Sequence, residues 1–279
     1  MSMQRTYPEG VTSWIDTERD DVEATKAFYG GLLGWSFADA APPDAPQRYV
    51  IAQVNGADAA GIGGQTAGAG LPSAPVWHTY IAVDDANAAA DRVVRAGGRI
   101  VTPPTSPGPA GIWAGCEDST GVEFRLWQAG RRLGAQITNV PSAWNFSDLH
   151  TADLAAAKSF YGAVFGWEFA DLGFATMIRQ PGYGDHLAAT VDPGIYERQS
   201  AISPIGFADA IAWLNESQAG ETPHWHVTFS VADRDAAVAT VERLGGTVVS
   251  RSESEWTKAA VVRDPDGAEF TVSQFTPPE

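Results

Sequence analysis

The sequence predicts an α+β protein: four βαβββ modules, arranged as two tandem copies of one domain. Three observations predict this. The stretch WIDTERDDVEATKAFYGGLLGWSF (14–37) returns as FSDLHTADLAAAKSFYGAVFGWEF (146–169), with Asp16 and Asp148, Asp21 and Asp153, Tyr29 and Tyr161, and Trp35 and Trp167 in matching places. Residues 77–101 return at 225–249, and 118–128 return at 264–274. A weaker repeat inside each copy runs strand, Ala-rich helix, Gly turn and strand twice over. Internal repeats of this kind decide the architecture before any motif is read.

Each element follows in order. Residues 12–37 run from a strand pattern, through an Ala-rich amphipathic helix, to a Gly turn and another strand. Val22, Thr25, Phe28, Tyr29 and Leu32 then fall at helical spacing, which turns one face onto a sheet. Gly34 stands where a helix end needs positive φ. The alternating runs WSFAD, RYVIAQV and ADAAGIGG supply three more strands. The module from Trp77 repeats the pattern, its helix closing at Gly97-Gly98. Residues 129–143 join the copies, and their ITNV core is itself a candidate strand start. The domain boundaries read as 1–134 and 135–279. Spacing between the matched blocks changes along the chain, which implies loop insertions, the largest expected in FADAIAWLNESQAG (207–220).

Composition excludes several classes. The formal net charge of −16 opposes phosphate backbones and anionic lipid surfaces, so neither nucleic acid nor membrane is an expected partner. No apolar run is long enough to span a bilayer. The N-terminal MSMQRTYPEG has no apolar h-region, so no secretory signal is expected and the compartment reads as cytoplasmic. A single cysteine, Cys116, excludes an internal disulfide and reads as a small hydrophobe in a strand. The Gly-rich GIGGQTAGAG (61–70) fits a loop after a strand better than a phosphate cradle, because no helix pattern or Lys-Ser/Thr follows it.

The repeated blocks carry a family resemblance. Asp21…Gly34-Trp35 and Asp153…Gly166-Trp167, with the His-containing strands before AGG- or LGG-closed helices and the terminal D-x-x-G-x-x-F hairpins, resemble the vicinal oxygen chelate superfamily. That superfamily contains glyoxalase I, bleomycin-resistance proteins and extradiol dioxygenases. The chain is similar in particular to tandem two-domain actinobacterial members labelled hydroxylases or secreted-antigen-like proteins. The resemblance implies curved half-barrel sheets whose concave faces carry a divalent metal.

The family's ligand positions are poorly filled. The first-strand position holds Trp14 in one copy and Phe146 in the other, and neither binds a metal. The fifth-strand position keeps His78 and His226. The last-strand glutamate position holds Arg125 and Thr271. No resident cofactor is therefore expected, with a divalent metal as the alternative. Asp16 and Asp148 lie two residues beyond the first-strand positions and share their strand face. Each Asp with His78 or His226 offers a general base with an orienting carboxylate, or else a loop cap and a satisfied strand histidine. His224 and His226 flank Trp225 on one face, and with Asp148 they make a possible three-donor set.

Arg125 reads as a fork for a carboxylate or enolate, or as a surface ion pair. Trp113 and Trp256, with Trp14 and Phe146, belong either to the core or to aromatic pockets, and ten tryptophans favour some of each. The reading that best fits these residues is a metal-independent small-molecule binding protein, monomeric or homodimeric, with two unlike pockets. A glyoxalase-like lyase or isomerase, or a hydroxylase-like enzyme, is the alternative, so enzymatic activity stays open.

Overall fold

The computed structural model describes residues 4–41, 48–64, 75–173, 175–200 and 203–277. Each predicted module is present. The first holds β1 (Thr12–Arg19), α1 (Val22–Leu33), β2 (Ser36–Asp39), β3 (Tyr49–Val54) and β4 (Ala57–Gly64). The second holds β5 (Trp77–Ala82), α2 (Ala86–Arg95), β6 (Arg99–Thr105), β7 (Gly111–Glu117) and β8 (Glu123–Ala129). The third holds β9 (Trp144–Thr151), α3 (Leu154–Phe165), β10 (Glu168–Asp171), β11 (Thr176–Arg179), α4 (Tyr183–Ala189), α5 (Ile195–Ser200) and β12 (Ala210–Glu216). The fourth holds β13 (His224–Ser230), α6 (Arg234–Arg243), β14 (Thr247–Glu253), β15 (Thr257–Arg263) and β16 (Glu269–Phe275).

The strands form two mixed, open sheets of eight, in the orders β2-β3-β4-β1-β5-β8-β7-β6 and β10-β11-β12-β9-β13-β16-β15-β14. Neither closes into a barrel, in keeping with the expected half-barrels. An Asp caps the main helix of every module. Asp21 accepts from the Ala24 N–H, Asp85 from Asn87 and Ala88, Asp153 from Ala156, and Asp233 from Asp235 and Ala236. Each cap satisfies N–H groups that a helix start leaves without partners. Gly34 and Gly166 end α1 and α3 at φ 68° and 73°, the left-handed conformation their positions in the repeat predict.

Two sequence expectations meet a different structure. The segment 207–220 is no loop insertion, since it contains β12. Its AIAWLNE run conceals alternation because Ala210, Ile211, Ala212 and Leu214 are all buried. The extra residues lie earlier, in 180–209, where α4 and α5 replace the tight β3–β4 hairpin of the first copy. The ITNV segment starts no strand. Positive φ at Asn139 (61°) and Ser142 (74°) breaks the extended path until β9 begins at Trp144. Of the Gly-rich run, 61–64 ends β4, and 65–70 lie outside the described residues.

The chain divides into two compact units, each drawn from both copies. One comprises Met1–Trp14, Thr79–Gly134 and Ser147–Trp225; the other comprises Ile15–His78, Ala135–Phe146 and His226–Glu279. In the first, α2 packs on α3 around Phe124, Phe160, Tyr161, Trp167 and Trp225. Tyr161 stacks on Trp167 with ring centroids 4.8 Å apart. In the second, α1 packs on α6, and Phe28, Tyr29, Trp35, Trp77, Phe229 and Phe270 form the matching cluster. Large buried aromatic area and edge-to-face packing make these clusters a main source of stability in each core. Among the described residues no helix is long and apolar enough to cross a membrane.

Candidate functional site

The family's ligand positions are built from strand residues and can be followed unit by unit. In the first unit, Tyr80 on β5 and Arg125 on β8 are register partners and so share a sheet face. The Arg125 guanidinium donates from Nη1 to the Tyr80 hydroxyl at 2.8 Å. It lies 5.0 Å from the Trp113 ring centroid and 5.5 Å from that of Tyr80. A cation is thereby fixed over aromatic surface, at the position the resemblance assigns to the last-strand glutamate. Trp14 is buried on β1.

In the second unit, His226 is buried and its Nε2 lies 2.8 Å from the Thr271 Oγ1. The fifth-strand and last-strand positions of this copy are thus joined by a side-chain hydrogen bond. Trp256 is half-buried and stacks on Phe275 at 6.3 Å. His78 and Phe146 are half-buried, at the start of β5 and within β9.

The residues at the family positions do not fit a divalent metal. Arg125 repels one, Thr271 is a weak ligand already bonded to His226, and Trp14 and Phe146 have no donor toward a metal.

The two aspartates, equivalent in the repeat, have unlike surroundings. Asp16 is buried and its Oδ2 accepts from the Tyr49 hydroxyl at 3.0 Å. Its register partner on β4 is Gly61, and a Cβ there would stand 2.0 Å from that hydroxyl. Glycine therefore makes room for the tyrosine to reach the acid. Asp148 has Trp213 as its register partner instead. The Trp213 N–H donates to its carboxylate, yet the buried Oδ1 has no hydrogen-bond partner among the described residues. Burial pushes the Asp148 carboxyl up to about 7, against the pull of that amide.

A third constellation was missed in the sequence. His150, Glu221 and His224 offer ligand atoms that all lie within 4.8 Å of one another. The possible set of His224, His226 and Asp148 is replaced by this one, in which neither His226 nor Asp148 takes part. His150 Nδ1 is 2.6 Å from Glu221 Oε1, and the two histidine rings stand 5.1 Å apart. Burial works against ionisation of Glu221. The Gln218 amide and then the His150 imidazole outweigh it and hold the carboxyl below the ordinary glutamate value. Strand alternation places His150 on the face of Phe146 and Asp148, a signal available in the sequence. Glu221 carries no such signal, because a loop positions it. Glu216, which ends β12, falls on the opposite face from Trp213 and is exposed. Cys116 is buried in β7, and burial pushes its thiol up to about 12, which makes it unreactive.

Fold and sequence together define the class. Residues 14–126 match the Glyoxalase/Bleomycin resistance protein/Dioxygenase superfamily, and residues 146–273 match a glyoxalase-like domain. The chain belongs to this superfamily, as two tandem copies. It is 31% identical to the Mycobacterium tuberculosis protein named "Putative glyoxylase CFP32", covering 99% of both chains. It is 30% identical to the anthracycline biosynthesis protein DnrV of Streptomyces peucetius, over 96% of this chain and 94% of that one. Among solved structures it shares the fold of a Mn(II)-bound glyoxalase from Novosphingobium aromaticivorans (TM-score 0.59, 15% identity, 97% of this chain and 85% of that one). A 2,2',3-trihydroxybiphenyl 1,2-dioxygenase from Sphingomonas wittichii is similar in the same sense (TM-score 0.56, 14% identity, 96% and 90%).

Proposed function

We propose that the chain is a small-molecule binding protein that works without a metal at the positions its relatives use for one. Its two copies, 1–134 and 135–279, carry unlike sites. The observation that carries this reading is Arg125, a guanidinium held between Trp113 and Tyr80 where a metal-binding relative has a carboxylate. That exchange reverses the preference of the site, from a cation to a carboxylate, phenolate or enolate on a planar frame. The other copy offers a hydrogen-bonded His226–Thr271 pair. The relative named for anthracycline biosynthesis agrees with a flat polycyclic ligand.

The test is a thermal-shift panel of aromatic carboxylates, phenols and flat polycyclic compounds, followed by calorimetry on hits. At least one should raise the Tm, since binding to the folded state alone stabilises it. Arg125→Ala should weaken that ligand by roughly tenfold or more, the scale of a charge-assisted hydrogen bond. A panel without effect, or binding indifferent to Arg125→Ala, sinks the reading.

A second reading rests on Asp148, whose buried Oδ1 has no hydrogen-bond partner among the described residues while its counterpart Asp16 is engaged by Tyr49. Such a carboxylate suits removal of a proton next to a carbonyl, the step a glyoxalase-like lyase or isomerase needs. Exchange of substrate C–H for solvent deuterium, abolished in Asp148→Asn and retained in Asp16→Asn, is the expected signature. Exchange that survives Asp148→Asn eliminates this role.

A further inference from the structure

We propose that His150, Glu221 and His224 form a binding site for a divalent cation of the zinc class, apart from the positions where relatives hold their metal. His150 lies four residues beyond the first-strand position on β9, and His224 lies two before the fifth-strand position on β13. Glu221 comes from the connection between β12 and β13.

The site is built rather than accidental. Glu221 Oε2 accepts from the Gln218 N–H at 2.7 Å, while the Glu221 N–H donates to the Gln218 carbonyl at 3.0 Å. This reciprocal pair fixes the carboxylate and turns Oε1 toward His150. The loop is tied to β9 by the Ser217 N–H, which donates to the Thr151 carbonyl at 3.0 Å. Supporting contacts of this kind orient ligands in metal sites. His224 Nδ1 lies 2.9 Å from the Thr222 carbonyl. A carbonyl only accepts, so Nδ1 carries a proton there and Nε2 is the ring nitrogen left for an ion.

Donor chemistry selects the ion. Two imidazoles and one carboxylate form a borderline set suited to Zn²⁺, Co²⁺, Ni²⁺ or Cu²⁺, and too poor in oxygen for Ca²⁺ or Mg²⁺. Three protein ligands leave a fourth position for water. The side chains are 23% (His150), 23% (Glu221) and 33% (His224) exposed, so an ion has a route in from solvent. Entry requires the 2.6 Å contact between His150 Nδ1 and Glu221 Oε1 to widen so that both atoms can face the ion.

The test uses the full chain, freed of metal by chelator and titrated with Zn²⁺ in a calorimeter and with Co²⁺ in a spectrophotometer. One equivalent should bind, and Co²⁺ should give the intense visible bands of a low-coordinate site. Glu221→Gln and His224→Ala should each weaken binding by more than about 100-fold, beyond what loss of a supporting contact costs. His226→Ala should leave the affinity unchanged. If neither ion binds at micromolar concentration, or if Glu221→Gln and His224→Ala have no effect, the proposal fails and the small-molecule reading stands. If binding disappears in His226→Ala instead, the ion sits at the family position, and the proposal and the metal-free reading fall together.

Discussion

The Tyr29 hydroxyl on α1 donates to Asp264 Oδ2 at 2.9 Å, joining two residues 235 positions apart. Both belong to repeated motifs, Tyr29 to the first copy and Asp264 to the D-x-x-G turn of the second. Asp264 Oδ2 also accepts from Arg19 Nη2 at 3.0 Å, in an ion pair that is almost wholly buried. Its Oδ1 accepts from the N–H groups of Asp266 and Ala268. The Trp77 indole N–H donates to the Tyr29 hydroxyl at 2.9 Å. In the other unit the Trp225 indole N–H reaches the Tyr161 hydroxyl at 3.2 Å. Burial, and then the charge of Asp118, raises the Tyr161 hydroxyl well above the ordinary tyrosine value. Thr151 takes the place of Arg19 in the repeat, and the buried Asp118 Oδ2 has no hydrogen-bond partner among the described residues.

The two turn aspartates should therefore differ in mutational cost. Asp264→Asn removes the buried partner of Arg19, leaving it the longer 3.8 Å contact to Asp266, and should destabilise by about 3–5 kcal/mol. Asp118→Asn can keep the Oδ1-type bonds to Thr120 and Val122 and removes a buried charge that has no ion pair, so its cost should stay below about 1 kcal/mol. Urea unfolding of the two variants decides the matter, and equal losses would contradict the asymmetry.

Asp148 should give the protein a distinctive pH dependence. Its folded value of about 7 lies above the ordinary 3.8, so between these values the folded state binds more protons than the unfolded one. Stability then falls as pH rises through that window, by a few kcal/mol at most, and the loss is complete above about 7. Asp148→Asn should flatten this slope and raise the Tm at pH 8. Melting curves at pH 5 and pH 8, with chelator present, read the effect directly.

Gly34 and Gly166 should be equivalent. Each has φ near +70° and open space where a Cβ would go, so alanine there meets conformational strain but no clash. Each substitution should cost about 1 kcal/mol. A difference of several kcal/mol between them, measured by denaturant midpoint, would show that the two helix ends are not the repeats they look like.

Gly61 should be intolerant of substitution for another reason. A Cβ would overlap the Tyr49 hydroxyl and drive it off Asp16. Gly61→Ala should destabilise by about 1–3 kcal/mol, the cost of disrupting a buried hydrogen bond to a charged group. In a Tyr49→Phe background much of that cost should vanish, and a double-mutant cycle measures the coupling.

How much of this was legible in the sequence varies by scale. The modules and the glycine ends could be read, because they depend on neighbours a few residues away. β12 was misread as a loop insertion because burial on both faces erases its alternation. His226 beside Thr271 and the fixed Arg125 follow from the family pattern, but the partners that hold Arg125, Tyr80 and Trp113, were invisible. His150 lay on a readable strand face. Glu221 gained its place only from a loop that turns back on Gln218.

By itself the sequence determined that one domain is written twice and that each copy contains two βαβββ modules. Local periodicity encodes these properties. Only the tertiary structure decided that Tyr29 meets Asp264 of the other copy, that Asp16 is engaged while Asp148 is left poised, and that two histidines and a glutamate converge. Those outcomes depend on which surfaces meet. Repeated motifs present equivalent surfaces, so the choice among them is made by long-range packing and the backbone register, which sets Gly61 opposite Asp16 in one copy and Trp213 opposite Asp148 in the other.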